Sequence, residues 1–120
     1  MKIRFTTEAQ RQLELFLKLN SASTGFIVGR DIGKFKIIKN LFSAPFSRSS
    51  IDDVYREFLE TIKDGLLGVF FMNRPLFLVD WFNEDIILEI KGQETKFFCC
   101  RFDPKKGRRE LVNILDWEAK

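Results

Sequence analysis

Apolar positions along the chain change period repeatedly, from two to about 3.6 and back, and that switching predicts its elements. Ile3 and Phe5 alternate with Lys2 and Arg4, which predicts a strand over residues 2–5. Thr6 or Thr7 then suits a helix N-cap, with Glu8 in the favourable first turn. Ala9, Leu13, Phe16 and Leu17 recur at helical spacing and predict one buried face, ending near Asn20-Ser21. In "STGFIVGRDIGKFKIIKNLF", residues 23–42, two runs rich in Phe, Ile and Val flank Asp31-Ile32-Gly33-Lys34, the pattern of a hairpin.

After the polar loop "SAPFSRSS", Ser50 and Asp53 form a capping-box variant that opens a second helix. Ile51, Val54, Phe58, Leu59 and Ile62 give it an apolar side, and Lys63-Asp64-Gly65 supplies a stop. Strands are expected at residues 66–72, 76–79, 86–90 and 96–102. The turn "FDPKKGR" leads into a last segment, 110–117, that suits strand or helix. The sum is an α+β (α/β-like) domain with a mixed, mainly antiparallel sheet flanked by two amphipathic helices. At 120 residues, 45 % hydrophobic and 31 % charged, it reads as one soluble domain, residues 1–120.

Composition removes several kinds of chemistry. There is no histidine. Ser-His-Asp and Cys-His nucleophiles, His-held metals and His general bases are therefore excluded, and any catalysis falls to carboxylates, Lys, Tyr or thiols. Cys99 and Cys100 are adjacent, so on a strand they point to opposite faces; one buried thiol, rather than a disulfide framework, is the expectation. Gly25, Gly29 and Gly33 sit four apart, but the Lys-Ser/Thr of a phosphate loop is missing, and backbone approach and turn geometry account for them better. No cofactor is implied.

The net charge of +3 is spread along the chain except at Arg101, Lys105, Lys106, Arg108 and Arg109. Asp103 and Glu110 interrupt that cluster and no ladder of aromatics accompanies it, so a solvated hairpin tip is expected rather than a nucleic-acid surface. Arg74 and Asp80 break the longest apolar stretch, so no membrane partner is expected. The opening Met1-Lys2-Ile3-Arg4-Phe5 has no signal-peptide core, which makes the cytoplasm the default location.

The order of strand, amphipathic helix, "TGFIVGRDIGKFKII", second helix and "LLGVFFMNRP", followed by a loop with Pro and acids, resembles the JAB/MPN domain. The resemblance covers roughly the first 90 residues and implies a cytidine-deaminase-like fold. Active members are JAMM metalloproteases, in which a Glu precedes the glycine-flanked strand and a His-x-His and a Ser-x-x-Asp follow the later one. Placed on those motifs, Ala22 stands for the general-base Glu, Phe71 and Asn73 for the two His, Trp81 for the Ser and Glu84 for the Asp. Pro75 lies one place later than the family's Pro, but a one-residue slip creates no histidine. Only Glu84 keeps a ligand-type side chain, and one carboxylate does not hold a catalytic zinc. The resemblance thus implies a degenerate, non-catalytic member, and because such domains commonly pair, a protein partner or homodimer.

Two readings of the loop after residue 72 stay open. Asp80, Glu84 and Asp85 are a carboxylate set for Mg²⁺ or Mn²⁺, the basis of an alternative as a metal-dependent hydrolase, and equally an ordinary charged surface. Phe71, Pro75, Phe77, Trp81 and Phe82 either form an apolar patch at the degenerate site or pack inward. Arg74, beside them, is a candidate interface cation or a partner for Asp80 or Glu84.

Overall fold

A computed structural model describes residues 1–62 and 65–118. The elements are β1 (Lys2–Phe5), α1 (Thr7–Leu19), β2 (Ser23–Asp31), β3 (Phe35–Ser43), α2 (Ile51–Thr61), β4 (Gly65–Met72), β5 (Ile86–Lys91), β6 (Glu94–Asp103), β7 (Arg108–Ile114) and β8 (Trp117–Glu118). They form one mixed sheet in the order β7-β6-β5-β4-β2-β3-β1-β8. β1 runs parallel to β3 and β8, and β4 parallel to β5; every other pairing is antiparallel. The last segment, open between strand and helix in the sequence, is strand.

The sheet is buried on both faces, which explains why β4 is apolar almost without a break. One face packs on α1: Ala9 and Leu13 join Ile3, Ile27, Ile38, Leu41, Phe70, Leu88 and Phe97. The other packs on α2 and two loops: Ile51, Val54, Tyr55 and Phe58 meet Phe26, Val69, Phe71, Ile87 and Cys100. The sheet also curls. β6 and β1 stand five places apart, about 24 Å in a flat sheet at about 4.8 Å per strand. Yet the Phe5 and Phe97 ring centroids are 5.8 Å apart, and Phe97 lies 5.0 Å from Trp117 of β8. β-bulges in β3 and β4 against β2 supply local bending.

Thr6 caps α1 as expected, its Oγ1 accepting from the Ala9 N–H, and Asn20 closes the helix in the left-handed region. Asp31 Oδ1 accepts from the Gly33 N–H and its Oδ2 from Lys36 Nζ, which fixes the β2–β3 turn around Gly33 at φ 85. Three expectations need correction. Ser50 makes no side-chain cap to α2; its Oγ accepts instead from the Ser47 N–H. Ile62 is extended and ends the helix, and the stop at Lys63-Asp64 lies outside the described residues. Residues 76–79 are not a strand. Both neighbour positions of β4 are taken, by β2 and β5, so a further strand there has no partner. Because β5 is parallel to β4, the chain must instead travel back along the sheet, and residues 73–85 make that crossover over the α2 face.

Candidate functional site

The start of β2 and the end of β4 lie side by side, and the loops that flank them form the rim of a groove. Ser23 pairs with Met72, so Ala22 and Asn73 extend past the sheet together. Asn73, at φ 51, locks this end: its amide nitrogen donates to Asn20 Oδ1 and the Ser21 carbonyl, and its Oδ1 accepts from the Gly92 N–H. The loop before α2 closes the opposite side. Thr24 holds it in place, its Oγ1 donating to the Ala44 carbonyl and accepting from the Phe46 N–H.

The resulting open groove has a volume of about 560 Å³, and residues 22–24, 45–48 and 50, 74–75 and 77 line it. Pro45, Phe46, Pro75 and Phe77 supply apolar surface. Phe46 and Phe77 meet edge to face at 6.0 Å, and both rest edge-on against the buried Phe71 beneath them, at 5.8 and 5.1 Å. Among the described residues, the only charged ones that line it are Arg48 and Arg74. Arg48 is held by a hydrogen bond from its Nη1 to the Leu78 carbonyl, 3.1 Å, and lies 5.0 Å above the Phe77 ring. Arg74 is exposed and, among the described residues, is not paired with Asp80 or Glu84.

The structure brings together some of the residues singled out in the sequence and separates others. Ala22 and Asn73 meet at the groove, and Phe71 lies beneath its rings. Trp81 lies on α2, its indole Nε1 donating to Asp52 Oδ1 at 2.6 Å and its ring 4.6 Å from Tyr55. Glu84 is anchored at the start of β5, its N–H donating to the Cys100 carbonyl. Since Ile86 pairs with Gly68, Glu84 is at least five strand residues from Asn73, or about 16 Å at about 3.3 Å each. The positions that a zinc centre needs within one coordination sphere are therefore spread along the sheet. Of the aromatic patch, Phe71 and Phe82 are buried at 0 % and 1 % exposure and belong to the core, whereas Trp81 keeps 38 % and Pro75 is exposed.

The carboxylates of Glu84 and Asp85 have other engagements, and Asp80 is held through its backbone. Glu84 Oε2 accepts from Arg101 Nε at 3.2 Å and lies 3.5 Å from the Cys99 Sγ. Asp85 Oδ2 accepts from the Asn83 N–H, and burial pushes its carboxyl above the usual range. The Asp80 backbone carbonyl accepts from Arg109 Nε. Among the described residues no three His, Cys, Asp or Glu side chains converge as a metal shell. Both thiols are buried, one on each face, where one was expected; the reason is that both faces of β6 are covered. Burial pushes the Cys100 thiol up to about 11 and raises that of Cys99, whose Glu84 neighbour adds to the effect. In the basic cluster Lys106 pairs with Glu110 at 2.7 Å and Arg101 with Glu84, around a tight turn at Gly107.

The class these features define is an α+β chain whose curled mixed sheet lies between two helices, with an apolar, cationic groove at one sheet end. No protein-family model and no curated protein matches the chain. Among solved structures it is similar to the solution structure of protein DSY2949 from Desulfitobacterium hafniense, with a TM-score of 0.57 and 16 % identity over 97 % of this chain and 92 % of that one. At that identity the likeness is one of fold. No helix among the described residues is long and apolar enough to cross a membrane.

The sequence pointed to Ala22, Asn73, Arg74, Pro75 and Phe77 but missed Pro45, Phe46 and Arg48. Their loop is only polar and Pro-containing in the sequence; the signal that places it, the Thr24 side chain bridging Ala44 and Phe46, is tertiary.

Proposed function

We propose that this chain is a non-catalytic binding module of JAB/MPN-like architecture, which receives a protein partner in the groove between the loop before α2 and the loop after β4. The observation that carries the reading is the lining. Where the resemblance puts Ala22 and Asn73, two of its five site positions, the groove has prolines, phenylalanines and two arginines, and none of the described residues that line it is a carboxylate or a thiol. With no histidine in the chain, the groove has no group suited to holding a catalytic metal or passing a proton near neutral pH. What it has suits recognition, since aromatic and Arg side chains carry much of the energy at protein interfaces.

The alternative, a metal-dependent hydrolase built on Asp80, Glu84 and Asp85, has less support, because Glu84 is paired with Arg101 and burial favours the protonated form of Asp85. The location remains the cytoplasm by default, and a homodimer is the simplest form of partner for a domain of this resemblance.

Two measurements test the reading. Selection of a displayed random 12-residue peptide library on the immobilised protein returns binders that Pro75→Asp abolishes; Pro75 is exposed, so the variant retains its fold. Thermal melts of chelator-treated protein are unmoved by Zn²⁺, Mg²⁺ or Mn²⁺, whereas an ion at a hundred times its Kd at a native site adds about 2.7 kcal/mol. Binders indifferent to Pro75→Asp, or a metal-dependent rise in Tm removed by Glu84→Ala, contradict it.

A further inference from the structure

We infer that the occupant of this groove is an extended acidic segment of another protein, whose side-chain carboxylates meet Arg48 and Arg74 while an apolar residue seats on Phe46, Pro75 and Phe77. The inference rests on the binding-module reading and adds the chemistry of the partner.

Charge complementarity is the first argument. Among the described residues, two guanidinium groups are the only charges lining the groove, and the chain as a whole is cationic by +3. The second is preparation. Arg48 is already held by the Leu78 carbonyl and the Phe77 ring, so little rotamer freedom is lost when an anion binds it. Arg74, exposed on the other loop, has donors to spare for a carboxylate.

The geometry also selects among anions. The two arginines come from different loops, residues 44–50 and 73–78, and the Arg48 guanidinium rests on the second of them, at the Leu78 carbonyl and the Phe77 ring; carboxylates spaced along one extended chain can pair with both. A nucleic-acid strand fits less well. The Phe46 and Phe77 rings are engaged edge to face with each other and with Phe71 and do not form a stacking platform for bases.

The same displayed library decides the matter. Panned on wild type, it enriches sequences that combine Asp or Glu with an apolar residue. A synthetic peptide from that pool loses affinity about tenfold or more on Arg74→Glu, the scale of one charge-assisted hydrogen bond, and weakens as salt rises. Arg48→Gln weakens it too, and Arg74→Glu panned afresh shifts enrichment away from acids. Groove binders with no acidic bias, blocked by Pro75→Asp but indifferent to Arg74→Glu, overturn this inference while the binding-module reading stands. Binders that all ignore Pro75→Asp overturn both. An oligo-dT strand that binds through Arg48 and Arg74 and that the acidic peptide fails to displace assigns the groove to nucleic acid instead and overturns the inference.

Discussion

Gly68 has no room for a side chain: a Cβ placed there lies 1.8 Å from the Ile86 carbonyl oxygen on the neighbouring parallel strand. That neighbour is backbone and cannot swing away, so Gly68→Ala is expected to destabilise the fold by about 3 kcal/mol, read as a lower midpoint in urea at unchanged m-value. Two aspartates respond to pH in opposite senses. Lys36 and the Gly33 N–H hold the Asp31 carboxyl below its ordinary value of 3.8, so its stabilisation is present above that pH and is lost as pH falls through the lowered folded value. Burial raises Asp85 above 3.8, so the native state binds the extra proton and stability falls as pH rises from 3.8 through the raised value. Asp85→Asn removes that decline while keeping an acceptor for the Asn83 N–H, and chemical denaturation between about pH 4 and 7 reads the flattened slope. With burial pushing Cys100 up to about 11 and Cys99 raised as well, both thiols are protonated at pH 8, and a disulfide reagent labels them only as fast as the chain unfolds. Close approach and a turn were legible at Gly25, Gly29 and Gly33: a Cβ at Gly25 or Gly29 meets the Phe42 or Ile37 carbonyl oxygen at 2.0 or 1.9 Å, and Gly33 turns at φ 85. Gly68 was not singled out, because the carbonyl facing it belongs to a strand whose parallel register only the crossover determines.

At the scale of elements, the two helices start by different means. α1 has a side-chain cap, and Thr6→Ala is expected to cost about 1 kcal/mol. α2 has none, and its position rests on packing: Phe58 lies 4.6 Å from Phe26 and 5.5 Å from Phe42 between ring centroids. Ser50→Ala therefore loses less than Thr6→Ala, whereas Phe58→Ala loses about 3 kcal/mol or more; thermal unfolding of the three variants gives the order. Most of the elements were legible, because amphipathic periodicity and turn residues are local signals. The capping box at Ser50 and Asp53 misled because the Ser-Arg-Ser-Ser run offers Ser50 Oγ a competing donor, the Ser47 N–H. Residues 76–79 read as strand because Leu76, Phe77, Leu78 and Val79 are apolar, but they are apolar to cover Phe71 and Val69 from outside the sheet.

At the scale of the molecule, curvature brings into contact what the sequence keeps apart. Phe5 and Trp117, on the paired strands β1 and β8, meet Phe97 of β6 inside the curl, so Trp117→Ala removes a closing contact between the two ends of the sheet. The groove is likewise built from three segments, residues 22–24, 45–50 and 74–77, and no single stretch carries its signature. The absence of histidine was legible at once; the arginine pair and the proline–phenylalanine rim required the fold. The central claim is that this groove, and not the acidic start of β5, is where the protein meets its partner. A two-dimensional ¹⁵N NMR titration of the intact protein with an acidic peptide from the selection tests it most directly. The account predicts shifts confined to the amides of Ser23, Thr24, Phe46, Ser47, Arg48, Arg74 and Phe77, with Glu84, Asp85 and Arg101 unmoved. Shifts centred on residues 80–85 or along β7, with the groove silent, contradict it.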